Sequence, residues 1–356
     1  MKRSAGIIAL GLAVLLGSAC GKKGPLQLPL AREPKPAERL TAFQRGRSII
    51  LEWTDPGKYI DGHPLKAAGA AELWILEPGP EAGAKPPALR DFGTRARLAR
   101  RIAPNELRPG PGGVRFAYSL AGDQAGHRNL AFSVRVLDAA RRPSKFCLPV
   151  MVEIQLCPLP PEIGDVRVLK DRVEISWTPP AANIDGSKPA IVAGYTVYRS
   201  DGMSEPEKLT PSPTAGLSFE DRSFQFGASY TYTVRACATV TNPCLESDDS
   251  AARNIVPRDI FPPDLPAGLV AVPGPGVISL SWEPVRDQGL AGYRVWRKEE
   301  GGAEFDPLTP GLLPGNTFTD SSALKGKTYV YAVSAKGKNG TESARTETGP
   351  VSLKGN

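Results

Sequence analysis

The sequence predicts an all-β chain built from tandem β-sandwiches, and three observations carry that expectation. A strand-like run ending in tryptophan occurs three times, closing at Trp53, Trp177 and Trp282. A proline follows each within three positions, Pro56, Pro179 and Pro284, and then a second strand with an aromatic: Leu73-Trp74-Ile75, Tyr195-Thr196-Val197-Tyr198 and Tyr293-Arg294-Val295-Trp296. The 36 prolines and 37 glycines are spread along 356 residues with no Gly-X-Y period, so they read as turns between many short strands.

The runs Val173-Glu174-Ile175-Ser176-Trp177 and Ile278-Ser279-Leu280-Ser281-Trp282 alternate apolar with polar, as a strand with one buried face requires. Ile49-Ile50-Leu51-Glu52-Trp53 is more continuously apolar. A third alternating strand closes each unit, 230–236 and 329–335 in the later copies, beginning at Tyr230 and Tyr329. The first copy offers 130–136, with Leu130 in the tyrosine position and about 25 more residues between it and its tryptophan. Units of about 100 residues with this patterning point to immunoglobulin-like sandwiches.

Trp177 with Pro179-Pro180, then Tyr195 to Tyr198, then Tyr230, Val234 and Ala236, resemble a fibronectin type III repeat. The third copy resembles it too, preceded by the linker-like Phe261-Pro262-Pro263-Asp264-Leu265-Pro266. The resemblance places units at 158–258 and 262–354, and a divergent one with a basic insertion at 37–156. It implies that Trp53, Trp177 and Trp282 fill cores with Tyr195, Tyr230, Tyr293 and Tyr329, and that a tyrosine hydroxyl ties a loop at the corner of the strand carrying Tyr230 or Tyr329. A large aromatic on a half-buried strand is itself a core residue before it is a ligand platform.

Ahead of these units, Lys2 and Arg3 precede an apolar run from Ile7 to Leu16, then Gly17, Ser18, Ala19 and Cys20. The run is too short to span a bilayer, which needs about 20 residues, and reads as an export signal with a small-residue cleavage site over 1–19. Ala19-Cys20 resembles the cut site of bacterial lipoproteins, with Gly17 where that motif usually has Leu. The resemblance implies lipidation of Cys20 by a diacylglycerol and a further acyl chain such as palmitate. Several chains hold a protein on a membrane where one does not. Cys20-Gly21-Lys22-Lys23-Gly24-Pro25-Leu26 also resembles the start of a short outer-membrane lipoprotein associated with lipopolysaccharide-transporter assembly, and Gly21 after the cysteine implies the outer membrane. Pro25, Pro29, Pro34 and Pro36 make the following stretch an extended tether; cysteine and tether together cover 20–36.

Chemistry-bearing motifs are few. The only histidines, His63 and His127, sit in turn contexts, and no nucleophile elbow, Walker loop, dinucleotide fingerprint or zinc-protease motif occurs. The expectation is a non-enzyme without metal or cofactor. Of the other cysteines, Cys237 and Cys244 flank a short hairpin-like segment and suit a disulfide in an oxidising compartment. Cys147 and Cys157 flank a strand-like stretch that would hold them too far apart to bond, and their pairing stays open. Asp248-Asp249 reads as an exposed acidic loop.

The formal charge is +7, two units of it from Lys2 and Arg3, a mild excess that singles out no partner. The basic insertion is more specific: Arg90, Arg95, Arg97, Arg100 and Arg101 share their stretch with one acid, Asp91, and Arg108 and Arg115 follow. Flanking prolines predict irregular surface structure there. Arginine's planar donors suit phosphate or carboxylate, so these side chains are read as a contact for an envelope protein or anionic polymer. Aromatic interleaving is poor, which argues against single-stranded nucleic acid. The functional expectation is a membrane-anchored, non-catalytic scaffold or binding protein of the cell envelope. The alternative is an accessory carbohydrate- or polymer-binding module beside secreted hydrolases.

Overall fold

A computed structural model describes residues 32–65, 70–79, 83, 85–121, 128–239, 241 and 243–353. The signal segment, Cys20, most of the tether and His127 lie outside them. The chain folds as two compact units, one centred on the first sandwich and one holding the second and third.

The first sandwich runs β1 (Glu38–Arg45), β2 (Ser48–Thr54), β3 (Ala70–Leu76), α1 (Leu89–Arg95), β4 (Arg97–Ile102), β5 (Arg108–Gly110), β6 (Gly113–Ser119), β7 (Arg128–Leu137) and β8 (Val150–Ile154). Its sheets have the orders β1-β2-β6-β5 and β4-β3-β7-β8. The second comprises β9 (Glu162–Val168), β10 (Val173–Thr178), β11 (Gly194–Ser200), β12 (Glu207–Lys208), β13 (Ser218–Asp221), β14 (Tyr230–Cys237) and β15 (Arg253–Ile255). Its sheets are β13-β10-β9 and β12-β11-β14-β15. The third comprises β16 (Val270–Pro273), β17 (Ile278–Ser281), β18 (Leu290–Glu299), β19 (Asp306–Pro307), β20 (Thr317–Asp320), β21 (Thr328–Gly337), β22 (Thr346–Glu347) and β23 (Val351–Ser352). Its sheets are β16-β17-β20 and β19-β18-β21-β22, with β23 also on β21. Three strands facing four in the second sandwich and three facing five in the third, with the strand after the tryptophan crossing to the other sheet, is the fibronectin type III order, repeated in tandem.

Each tryptophan strand presents alternate residues to its core. Val173, Ile175 and Trp177 are buried while Ser176 and Thr178 are exposed, and Ile278, Leu280 and Trp282 repeat the pattern. Trp53 is wholly buried. Trp177 meets Tyr195 with ring centroids 5.4 Å apart, and Trp282 meets Tyr293 at 5.3 Å. The Tyr230 hydroxyl accepts the Gln225 N–H at 3.0 Å, and the Tyr329 hydroxyl accepts that of Leu324 at 3.2 Å. Each pins the loop five residues ahead of the tyrosine.

A second buried pattern recurs in the last two sandwiches. The Tyr232 hydroxyl donates to Asp221 at 2.7 Å, Arg199 donates to the same carboxylate oxygen at 2.8 Å, and Ser223 donates through its N–H and hydroxyl. Tyr331, Arg297 and Ser322 treat Asp320 in the same way, with the same tyrosine and arginine distances. Burial opposes ionisation of each aspartate, but these donors outweigh it and hold both carboxyls below their ordinary range.

The insertion departs from the irregular segment its prolines predict. Between β3 and β4 it forms α1, whose Phe92 is wholly buried against Leu76 and Ala131, with Trp74, Phe146 and Met151 packed around it. Phe146 meets Trp74 and Phe92 edge-on at 5.4 and 5.5 Å. The physical reason is placement. β4 is an edge strand and needs pairing on one side only, while the breakers Pro86, Pro87 and Pro104 fall in the connections around it.

Candidate functional site

The basic insertion occupies one lateral edge of the first sandwich. Arg90 and Arg95 are on α1, and Arg97, Arg100 and Arg101 on β4; all five side chains are exposed. They do not converge as a single cluster. Antiparallel pairing sets Arg97 opposite Ile75, Leu98 opposite Trp74, Arg100 opposite Leu73 and Arg101 opposite Glu72, with a register shift that leaves Ala99 unpaired. This bulge brings Arg97 and Arg100 to the same side of the strand, where regular alternation would have separated them, and leaves Arg101 on the other.

Their bonding differs too. Arg100 pairs with Glu106 at 2.7 Å, and Glu106 also accepts the Ala103 N–H at 2.8 Å, which fixes the end of β4. Arg101 lies 3.5 Å from Glu72. Arg90, Arg95 and Arg97 make no ion pair among the described residues. Arg108 donates to the Asn105 carbonyl, and Arg115 bonds Glu52 on β2 at 2.7 Å. Beyond the end of β4 lies a cleft of about 410 Å³, lined by Ala71, Ile102 and Leu137 with Glu72, Arg101 and Arg141 at its polar margin. Arg141 has φ of +60°, in the hairpin position that glycine or asparagine ordinarily takes.

One arrangement leaves no sequence motif because its parts come from different strands. In each sandwich, on the outer face of the sheet that carries the strand after the tryptophan, a glutamate is held by an arginine beside an aromatic ring. Glu72 accepts the Trp74 indole N–H at 3.2 Å, with Arg135 at 3.8 Å. Glu246 accepts Arg235 at 2.7 Å and the Tyr198 hydroxyl at 2.8 Å, and the Arg235 guanidinium lies 4.0 Å from the Tyr198 ring centroid. Glu342 accepts the Ser334 hydroxyl at 2.7 Å and Arg294 at 3.3 Å; Ser334 accepts the Trp296 indole N–H, and Arg345 stacks 3.8 Å over that ring. Burial opposes ionisation of Glu246, yet the Arg235 and Tyr198 hydrogen bonds hold its carboxyl below the usual range. These groups are satisfied within their own sandwich, which makes them staples of the outer sheet face.

Cys237 and Cys244 are bonded to each other, with Cα atoms 5.8 Å apart. Their sulfurs and Glu246 are the one metal-compatible trio among the described residues. The disulfide and the Arg235 pair already engage all three members. Cys147 and Cys157 are free and buried, and burial pushes the Cys157 thiol up to about 12. His63 is exposed and its ring lies 3.2 Å from Asp61 in the same turn. Asp249 pairs with Arg235 at 2.7 Å.

No protein-family model matches the chain. It is 32% identical over 164 residues to an amylopullulanase of Thermoanaerobacterium saccharolyticum, covering 46% of this chain and 11% of that protein. An amylopullulanase of Thermoanaerobacterium thermosulfurigenes is 28% identical over 131 residues, covering 36% of this chain and 6% of that one. The chain therefore spans about a tenth or less of the length of these relatives. Cardiac-type myosin-binding protein C of Mus musculus is 28% identical over 190 residues, 52% of this chain and 14% of that protein. Among solved structures, the FN1–FN3 domains of chicken CNTN1 cover 90% of this chain and 99% of their own, with 15% identity and a TM-score of 0.24. The strand orders of the three sandwiches define the fold. Tandem sandwiches, and similarity to small parts of much longer proteins, are features of a binding or scaffold module.

Proposed function

We propose that this chain is a non-catalytic binding scaffold, tethered to the bacterial cell envelope through an acylated Cys20. Anchoring is supported by the sequence of residues 1–26, which joins a basic start, a short apolar run and Ala19-Cys20 to a proline-rich tether. One structural observation carries the binding role. The first sandwich presents a six-residue edge strand with exposed arginines, whereas the matching edges β12 and β19 have two residues each. The first sandwich is then the contact module, and the regular repeats that follow it in sequence are stapled on their outer faces. The test is a photo-crosslinking amino acid placed at Arg97 in the native host, with Arg167 on the second sandwich as the control position. A discrete envelope protein trapped from position 97 and not from 167 supports the reading; equal, diffuse labelling from both positions contradicts it.

The amylopullulanase similarity favours a second reading, an accessory module that holds a polysaccharide beside a hydrolase. Co-sedimentation of the purified chain with insoluble amylose or cross-linked pullulan separates the two. Binding that persists at high salt and survives loss of the β4 arginines supports the accessory module; no sedimentation above that of an unrelated β-sandwich protein removes it.

A further inference from the structure

We propose that β4 is a docking edge that takes an acidic, extended peptide as an added antiparallel or parallel strand. This rests on the binding-scaffold reading and names the partner chemistry and the mode.

An edge strand exposes a row of unpaired N–H and C=O groups; charged side chains and a bulge, both present in β4, guard such an edge against strands of like charge, while proteins close an edge to any strand by shortness and by proline. The later sandwiches do both: β12 is two residues long and follows Pro206, and β19 is two residues long and contains Pro307. In the same place β4 has six residues and no proline, about 20 Å of edge at roughly 3.3 Å per residue. It pairs with β3 alone among the described residues. The edge is also held in shape: α1 is anchored by Phe92 just before it, and Glu106 binds Arg100 and the Ala103 N–H just after. A strand fixed in this way loses little conformational freedom when a partner adds to it.

Charge selects the occupant. Two copies of β4 would crowd their arginines along one seam, which disfavours pairing of the edge with itself and leaves it open to opposite charge. Arg97 and Arg100 lie on one side of the strand because of the bulge at Ala99, with Arg101 on the other, and Arg95 ends the helix that leads in. Main-chain hydrogen bonds would supply the affinity and the flanking guanidinium groups the preference for carboxylates.

The test is hydrogen–deuterium exchange on the full chain, with and without the synthetic peptide acetyl-Val-Glu-Val-Glu-Val-Glu-Val-amide. The expected result is exchange slowed at least tenfold within 97–102, with the protection weakening as salt is raised. The basic counterpart, with Lys for each Glu, should give no protection. The double variant Arg95→Glu/Arg97→Glu removes two cations that have no ion-pair partner among the described residues, and should lose the acidic peptide while exchange in β14 and β21 stays native. A triple variant, R97E/R100E/R101E, should then accept the basic peptide. Acidic peptide bound without protection of 97–102, equal protection by both peptides, or no binding to the folded wild type overturns the proposal. If the peptide fails but crosslinking from position 97 still traps an envelope protein, the scaffold reading stands and strand addition falls. If the peptide protects β4 and crosslinking traps nothing, strand addition stands without the scaffold reading.

Discussion

Asp221 and Asp320 show how single residues hold the repeats together. Each is almost wholly buried and carries a tyrosine, an arginine and a serine. Removing the charge leaves Arg199 or Arg297 without its buried partner, and disruption of such pairs costs about 3–5 kcal/mol. Asp221→Asn and Asp320→Asn should lower stability by that order, read by urea denaturation of each variant. The pH dependence follows from the direction of the shift. Both carboxyls are held lower in the folded chain than in the unfolded one, so their contribution is full above the unfolded value of about 3.9 and is lost as pH falls through the folded value. Wild-type stability should therefore fall with acidification below about pH 4, and the two Asn variants should show a shallower fall. A steeper fall in the variants would contradict the assignment. Trp177→Ala and Trp282→Ala should each cost about 3–5 kcal/mol through cavity formation. Their burial was legible in the sequence because apolar alternation leads up to both rings. The aspartate triads were not, since their members come from three separate strands and meet only when two sheets are stacked.

At the scale of elements, the insertion separates what patterning reveals from what it hides. Strands β10 and β17 announce themselves because one face is core and the other is water. β4, with the sequence RLARRI, does not, because an edge strand beside a helix has no clean inside and outside. α1 is seven residues long, too short for a helical apolar period to register, and Phe92 is its one buried residue. The proline-rich flanks therefore pointed to an irregular segment. Phe92→Ala should empty the small core shared with Trp74 and Phe146 and release β4. Amide exchange in 97–102 should accelerate while β14 and β21 are unchanged; equal acceleration throughout would mean that α1 supports the whole fold instead. The disulfide is a second local device. It closes a loop of about 8 residues and should contribute about 2–3 kcal/mol on chain-entropy grounds. Cys237→Ser/Cys244→Ser should lower the unfolding midpoint of the second sandwich accordingly, and non-reducing peptide mapping of exported protein should recover the two cysteines joined.

At the scale of the whole molecule, the divergent first sandwich carries an open basic edge of six residues where the two regular sandwiches have edges of two. The repeat architecture was readable from three tryptophans, the prolines after them and the tyrosines that close two units. The candidate contact was readable only as composition: five arginines in a short stretch gave the chemistry, while their division between α1 and the two sides of β4 required the structure. Salt dependence belongs to this scale, because exposed charges are screened over about 8 Å at physiological ionic strength. Binding through the basic edge should weaken steadily as salt is raised, as measured by surface-immobilised wild-type chain against the acidic heptapeptide. The scaffold reading depends most on the anchor. The most direct measurement is mass spectrometry of the mature N-terminal peptide, taken from the membrane fraction of the native host. The expected result is a Cys-Gly-Lys peptide beginning at Cys20 and carrying acyl chains. A mature protein found in the soluble fraction, beginning at another residue and without lipid, would contradict it.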